Sequence, residues 1–506
     1  MTPIPVVFAT PAAPLRVRRW GRHLRTMLSG VTLAVLLGSL MGCATNPVTG
    51  KREFSLVSAD QELAMGREGH QAVLSEYGVY NDPRLSAYVD SIGQALAKRS
   101  HLPNLEWHFT LIDDPTVNAF ALPGGYIYIT RGIMAHLNSE AQLAGVIGHE
   151  IGHVTARHSA QQVTQQQLAG LGLGLASAFS QTFQQYSGAA QQALGLMLLK
   201  YGRDDENEAD ALGIDYSTAA GWDPREVPST YHTLARISAR SGQRLPTFLS
   251  THPDPGDRES RTTGLATKAA QGKTGLLVRS RGYLAKLDNN VFGNDPRQGY
   301  FEGDRFYHPD LDFEMSFPSG WQKQNSRSAV LAQQPQQRAI MQLTLANTEG
   351  LAPAAFVQNL VSTGKIANAQ GASETVGGYA SWIGRLIVQN QDGTQGSMFA
   401  AFIQRSAQQT FQILARTAAV GDADEGAVRA AARSFRSLAD AARRTPTPDR
   451  VAIVEATQPG PFETVITKFG PLAISVEDES ILNNVEPGES VMKGQALKVV
   501  RPGSKK

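Results

Sequence analysis

Two histidines four residues apart with a glutamate between them, His149-Glu150-Ile151-Gly152-His153, are the residues of this chain best suited to chemistry. On an α-helix positions i and i+4 project from one face, so both imidazoles can meet one metal ion while the carboxylate between them lies beside it. With 11 His among 506 residues, the pattern has a chance expectation on the order of 0.01 per chain. A catalytic zinc takes three protein ligands and keeps a fourth position for water, and a helical glutamate serves as the third ligand in His₂Glu sites. Glu206, in Glu206-Asn207-Glu208-Ala209-Asp210, is such a glutamate. Asp210 lies one turn on, where it can accept the free ring N–H of a ligand histidine and fix its tautomer. Glu208 points away from that face and is solvated or paired.

These residues need helices to hold them. Ser139-Glu140-Ala141-Gln142 is a capping-box pattern, so a helix begins near 139 and runs to about 158. Leu143, Val146, Ile147, Ile151 and Val154 make it apolar over much of its surface, which buries the histidines. Buried polar groups cost free energy unless something coordinates or hydrogen-bonds them. A second helix over Asp205–Ala220 stops at Gly221 with Pro224 beyond it, and Gly213 lets it approach the first closely. Upstream, helical patterns cover Asp60–Tyr77 and a segment after Asp82-Pro83, where Leu85, Tyr88, Val89, Ile92 and Leu96 share a face. Leu105–Ile112 and Tyr126–Thr130 read as strands, with Pro123-Gly124-Gly125 breaking the chain before the second. Helical character also runs through 159–200, where Leu168–Phe179 is apolar but too short to span a bilayer.

At 506 residues the chain exceeds one ordinary core, so several domains are expected. Apolar residues make up 42% and charged residues 18%, which excludes global disorder. A net charge of +2 without a basic stripe gives no support for nucleic-acid binding. Gly272–Gly303 reads as a linker. After it come strand patterns at Leu311–Phe317, Ala329–Gln333, Ala339–Leu345, Ala380–Val388 and Met398–Ala415, with helices near 353–362 and 424–438. Thr445-Pro446-Thr447-Pro448 is a second linker, and no repeat is evident. The fold class is α+β, divided into 1–43, a domain carrying the zinc-ligand pattern at 44–290, an accessory unit at 304–440 and a tail module at 449–502.

The single cysteine, Cys43, excludes an internal disulfide or a CxxC site. Arg16, Arg18, Arg19, Arg22 and Arg25 precede the apolar run Met27–Met41, the order of a secretory signal. Leu40-Met41-Gly42-Cys43 resembles a bacterial lipobox, which implies a lipidated Cys43; a signal anchor with an incidental Cys is the alternative. No Asp follows Cys43, so the resemblance implies a lipoprotein of the outer membrane facing the periplasm.

HExxH followed by Glu206-Asn207-Glu208-Ala209-Asp210 and preceded by Arg203 resembles the zinc endopeptidases of metallopeptidase family forty-eight. The similarity runs from the loop at 44–58 through Asn118-Ala119-Phe120-Ala121-Leu122-Pro123-Gly124-Gly125 to Ser250-Thr251-His252-Pro253, and it lies nearest the periplasmic BepA-like branch. It implies one zinc ion per chain held by His149, His153 and Glu206, with Glu150 as proton carrier in attack of water on a peptide carbonyl. Asn118, Ala119, Phe120 and Ala121 match the family's edge strand, against which an extended peptide pairs by β-augmentation. Such pairing reads backbone, so unfolded or misassembled polypeptides are the implied substrates. His252 matches a histidine that sits near the zinc as a removable fourth ligand or a donor to the developing oxyanion, and Arg258 matches an arginine beside it. An ordinary loop histidine is the competing reading for His252. His158 reads as structural, and His70 and His101 as simple hydrogen-bonding residues.

In the tail, Leu482-Asn483, Pro487-Gly488 and Gly494–Val500 resemble a LysM module, a βααβ unit that binds peptidoglycan glycan; Pro459-Gly460-Pro461-Phe462 departs from its usual start. The 305–440 unit, with Phe317-Pro318-Ser319-Gly320-Trp321, resembles small PsbP-like or DcrB-like α+β domains. Nothing in it reads as catalytic, and a docking platform is the expectation.

Overall fold

A computed structural model describes residues 43–172, 200–240, 248, 251–252, 255–389 and 394–504. The expected secretory signal, most of the apolar run Leu168–Phe179, and Ser250 and Pro253 lie outside the described residues. An N-terminal ribbon pairs β1 (Cys43–Thr45) with β2 (Arg52–Phe54). Helix α1 (Ala59–Tyr77) starts at Ser58, whose hydroxyl accepts from Gln61 N while the Gln61 side chain accepts from Ser58 N. Helix α2 (Pro83–Ala97) is capped by Asp82 and buries Leu85, Val89, Ile92 and Leu96, the face its spacing sets.

A three-stranded sheet follows in the order β3 (His108–Ile112), β5 (Tyr126–Thr130), β4 (Ala119–Leu122). β3 runs parallel to β5 and β4 antiparallel. Gly124 and Gly125 have φ of 79° and 93°, the conformation that lets the turn between β4 and β5 close. Helices α3 (Arg131–His136), α4 (Glu140–Thr155), α5 (His158–Gly172), α6 (Arg203–Ala219), α7 (Val227–Arg240), α8 (Pro255–Ala270) and α9 (Ser280–Leu287) complete the catalytic unit. Ser139 caps α4 as expected, but Gln142 Oε1 takes Asn138 N at 2.6 Å, so half of the reciprocal pair is displaced by one residue.

One correction concerns Gly272–Gly303. It is no linker: α9 lies inside it, and Tyr283 and Leu287 are fully buried in the same core as α2, α4 and the sheet. Polar flanks hid a short amphipathic helix.

The accessory unit holds a four-stranded sheet, in the order β16 (Arg436–Ser437), β8 (Phe313–Ser316), β7 (Arg305–His308), β6 (Tyr300–Glu302). It also holds a seven-stranded antiparallel sheet, in the order β12 (Asn368–Val376), β13 (Tyr379–Gln389), β14 (Gln395–Ser406), β15 (Gln409–Arg416), β11 (Ile340–Ala346), β10 (Val330–Gln333), β9 (Gln322–Asn325). Alternate residues of β13 and β14 feed two cores. Trp382, Leu386 and Phe402 lie under α10 (Pro353–Ser362), while Ile383, Phe399 and Ile403 pack with α11 (Ala423–Arg433) and the smaller sheet. The expected single strand Met398–Ala415 is two, because the chain reverses at Ala407-Gln408. Strand β12 was missed in the sequence, since its exposed residues are polar or small.

The tail folds as β17 (Arg450–Glu455), β18 (Gly460–Pro461), α12 (Phe462–Ile466), α13 (Val476–Leu482), β19 (Ser490–Val491) and β20 (Ala496–Arg501), with β17 paired antiparallel to β20. It is not a tethered appendage. Val451, Leu482 and Val500 belong to the core of the catalytic unit, and buried Lys498 donates at 2.8 Å to the carbonyls of Ala135 and Leu137 at the end of α3. Among the described residues no helix is long and apolar enough to cross a membrane.

Candidate metal centre

Helices α4 and α6 cross where glycines replace side chains. A Cβ added at Gly213 would stand 2.7 Å from His149 N, and one at Gly148 would stand 3.0 Å from Gly213 O. The backbones therefore approach closely enough for Glu206 to reach the histidines of α4. His149 Nε2 lies 3.0 Å from His153 Nε2 and 3.5 Å from Glu206 Oε2, and His153 Nε2 lies 3.6 Å from Glu206 Oε1. His252, arriving from the chain before α8, puts Nδ1 2.8 Å from Glu206 Oε1 and 3.3 Å from His149 Nε2. One ligand atom from each of the four lies within 4.8 Å of the others.

The donor set fits a single zinc ion. Ligands about 2.0–2.1 Å from a tetrahedral ion stand roughly 3.4 Å apart, the spacing seen here. Each oxygen of Glu150 is buried without a hydrogen-bond partner. Buried orphan acceptors of this kind are costly unless a cation or a reacting group meets them.

Neighbouring side chains fix the ligand rings. Asp210 Oδ1 lies 3.0 Å from His149 Nδ1, which leaves Nε2 free for the metal. His153 Nδ1 faces His158 Nδ1 at 2.9 Å, and His158 Nε2 lies 3.3 Å from Glu208. Arg258, 2% exposed, reaches Glu206 Oε2 at 2.7 Å and Asp210 Oδ1 at 2.6 Å. Three residues that sequence reading missed complete this network. Tyr231 donates to Asp210 at 2.5 Å, Arg261 pairs with the same carboxylate, and the Tyr201 ring stacks on His153 with centroids 3.9 Å apart. Tyr231 stands between Thr230 and His232 and Tyr201 between Lys200 and Gly202, neither in a motif, so only the folded packing reveals them.

Burial pushes the Glu150 carboxyl above its usual range, with His252 and His149 pulling the other way. Burial alone would raise Asp210 too, but Arg258 and His149 overrule it and hold it well below the carboxylate range. Desolvation, reinforced by His149 and His158, drives His153 down and keeps it neutral, the form that ligates a metal. The four converging residues and Glu150 are at most 3% exposed. A cavity of only ≈ 10 Å³, beside His149 and walled by Tyr231 and Phe248, adjoins them.

The expected substrate edge is also enclosed. Ala119, Phe120 and Ala121 are at most 5% exposed and Asn118 is 6% exposed. Among the described residues β4 pairs only with β5, and its Ala119 and Ala121 share a core with Ile147 and Ile151 of α4. Asn118 precedes the strand and is held by Thr130. The other expectations stand apart from the centre: His70 pairs with Tyr128 OH and His101 with Tyr216 OH, and Cys43 pairs with Phe54 in the terminal ribbon.

Residues 83–265 match Peptidase family M48. The beta-barrel assembly-enhancing protease of Escherichia coli is 30% identical over 271 residues, 52% of this chain and 55% of that protein. The mitochondrial metalloendopeptidase OMA1 of Schizosaccharomyces pombe is 33% identical over 210 residues, 41% of this chain and 61% of its own. The alignments thus span little more than half the length of these relatives. Among solved structures, cyanobacterial PsbP from Synechocystis overlays 26% of this chain and 91% of its own, with 13% identity and a TM-score of 0.21.

Proposed function

From the premise that residues 83–265 are a zinc metallopeptidase domain of family M48, we propose that this protein is an endopeptidase for unfolded or misassembled proteins of the bacterial envelope. The observation that carries the reading is the convergence of His149, His153 and Glu206 beside a buried glutamate, Glu150, whose oxygens have no hydrogen-bond partner. Zinc held by these three residues would polarise a peptide carbonyl and acidify water. The chain supplies the rest. Glu150 takes a proton from the attacking water and delivers it to the leaving amine, and its raised affinity for protons suits both halves of that task. Arg258 and Asp210 keep His149 in one tautomer throughout.

The substrate class rests on the resemblance of Asn118–Ala121 to the family's edge strand and on the printed name of the Escherichia coli relative. Attachment through a lipidated Cys43 to the outer membrane, facing the periplasm, rests on the lipobox resemblance. Peptidoglycan glycan is the ligand that the βααβ resemblance offers for the tail.

His252 favours a second reading of the resting state. Its Nδ1 takes the fourth position around the converging atoms, and the described residues of the centre are at most 3% exposed; on this reading the enzyme is latent until His252 is displaced. A latent scaffold assisting assembly differs from an active protease in one experiment, degradation of an unfolded protein by the wild type, Glu150→Gln and His252→Ala. Cleavage that Glu150→Gln abolishes and His252→Ala accelerates is expected. Cleavage indifferent to Glu150→Gln sinks the proposal, and cleavage by His252→Ala but not by the wild type identifies latency.

A further inference from the structure

Phe54 and Leu56, at the end of the terminal ribbon, are 51% and 38% exposed, whereas Ser55 and Val57 beside them are buried. Large apolar side chains exposed singly are ordinary on a protein surface. Here two stand two residues apart, which Val79, Ile340, Leu345, Val420 and Met492, the others exposed among the described residues, do not repeat. Lys51 and Arg52 precede the pair and are exposed too, while Glu53 between them and Phe54 is taken by Asn46 and Gln161.

Beside the pair lies a cavity of ≈ 620 Å³, walled by the ribbon, the start of α1 and the end of α4. Leu56, Leu63, Leu102, Leu105 and Val154 give it an apolar lining. Most polar side chains of its wall already have partners. Glu62 pairs with Arg157, whose guanidinium also donates to Val57 O at 3.1 Å. Ser58 and Gln61 cap α1, and Ser55 donates to Val57 O at 2.8 Å. A peptide or sugar entering here would give up water for few new hydrogen bonds, whereas hydrocarbon has none to lose.

The sequence says what this face meets. The apolar run Met27–Met41 ends just before Gly42-Cys43, and Cys43 is already paired with Phe54 in the ribbon. Whether Cys43 carries lipid or the run itself is the anchor, hydrocarbon joins the chain at β1, with no spacer before the folded body. Paired strands lie about 4.8 Å apart, so the Phe54 backbone is held at the membrane surface. Lys51 and Arg52 suit anionic headgroups there.

We propose that this face lies on the bilayer, with Phe54 and Leu56 entering it, and that the cavity takes up an acyl chain of a membrane phospholipid. Val154 follows the ligand His153 and lines the cavity, so the metal-bearing helix α4 ends at the membrane surface. The inference rests on the anchored reading of the chain, in either of its forms.

The test reconstitutes the full chain in vesicles of phosphatidylethanolamine and phosphatidylglycerol that include a phosphatidylethanolamine with a diazirine in its acyl chain. Flotation isolates the bound chain, and irradiation followed by mass spectrometry maps the adducts. Adducts on Phe54, Leu56, Leu63, Leu102 and Leu105 should exceed those on the five other exposed apolar residues by about tenfold. Phe54→Ser combined with Leu56→Ser should leave flotation and the melting temperature unchanged, because both side chains are exposed, and cut adducts in the lining by about tenfold. Adducts spread evenly over all exposed apolar residues, or absent from the lining of a floating wild type and of its Cys43→Ser variant, would overturn the proposal and leave the anchor standing. Adducts that reach the lining only after Cys43→Ser would overturn the phospholipid as occupant and give the cavity to the chain carried by Cys43. A chain that does not float defeats the anchored reading, and the proposal with it.

Discussion

Arg258 sits 2.7 Å from Glu206 and 2.6 Å from Asp210, so one buried guanidinium compensates two buried carboxylates. Removing it takes the only guanidinium from Glu206 among the described residues and leaves Asp210 to Arg261 and Tyr231, and breaking a buried ion pair costs about 3–5 kcal/mol. Arg258→Met should therefore lower zinc affinity by about 10–100-fold, the usual effect of losing a group that orients a ligand. Competition against a chelating dye measures the affinity, and unchanged affinity would mean that Glu206 is held by something else. Glu150→Gln separates binding from chemistry. The amide keeps the shape of a residue outside the ligand set, so zinc content should match the wild type while cleavage falls by about 10²–10⁴-fold, the worth of a general acid–base group. The sequence made these residues legible because their spacing is chemical: two histidines on one helix face, then Glu206 and Asp210 on another. It could not reveal Tyr231 or Arg261, whose value lies in touching Asp210 from distant helices.

Helices α4 and α6 share a contact lined by Gly148, Gly152 and Gly213. Gly213→Ala places a methyl 2.7 Å from backbone at His149, where no rotamer can yield, so the helices must part. A loss of about 1–3 kcal/mol is expected, with weakened zinc retention, because the ligands ride on both helices. Gly264→Ala in α8 is the control: nothing lies within 4 Å, and the helix should gain up to about 1 kcal/mol. Urea titrations of the two variants check both signs. Periodicity and caps made α2, α4 and α6 readable from the sequence, since Asp82 and Ser139 mark starts and Gly221, at φ 98°, marks an end, while the start of α1 at Ser58 became visible only in the structure. Strand β12 and helix α9 were not readable. The first takes its stability from pairing with β13, not from its own side chains, and the second buries only one short face.

The tail module is built into the catalytic unit, with charged groups at the joint. Arg236 and Arg240 of α7 bind Val485 O, Ser480, Asp478 and Glu477, while Lys498 supplies the donors that Ala135 O and Leu137 O lack. Lys498→Met keeps the volume and strands two carbonyls, at about 1–3 kcal/mol each. The tail carboxylate Glu479 accepts from Val500 N, and burial pushes its carboxyl up to about 7. Between pH 4.5 and 7 the folded chain keeps this proton and the unfolded chain has released it. Stability from this group is therefore present at low pH and lost as pH rises through 7. Glu479→Gln removes the dependence, so its advantage over the wild type should grow by about 1–3 kcal/mol from pH 5 to pH 8. Thermal melts at the two pH values measure the difference; a constant gap would place the charge in water. Because α7 carries Tyr231 on one face and the tail contacts on another, module and metal centre are parts of one folded body.

Metal content and cleavage, followed together through one cycle of chelation, bear most directly on the central claim. The account predicts one zinc per chain, loss of zinc and of cleavage on chelation, recovery of both when zinc is restored, and no zinc retention by Glu206→Ala. Cleavage that persists in the metal-free chain, or full zinc occupancy without Glu206, would contradict it.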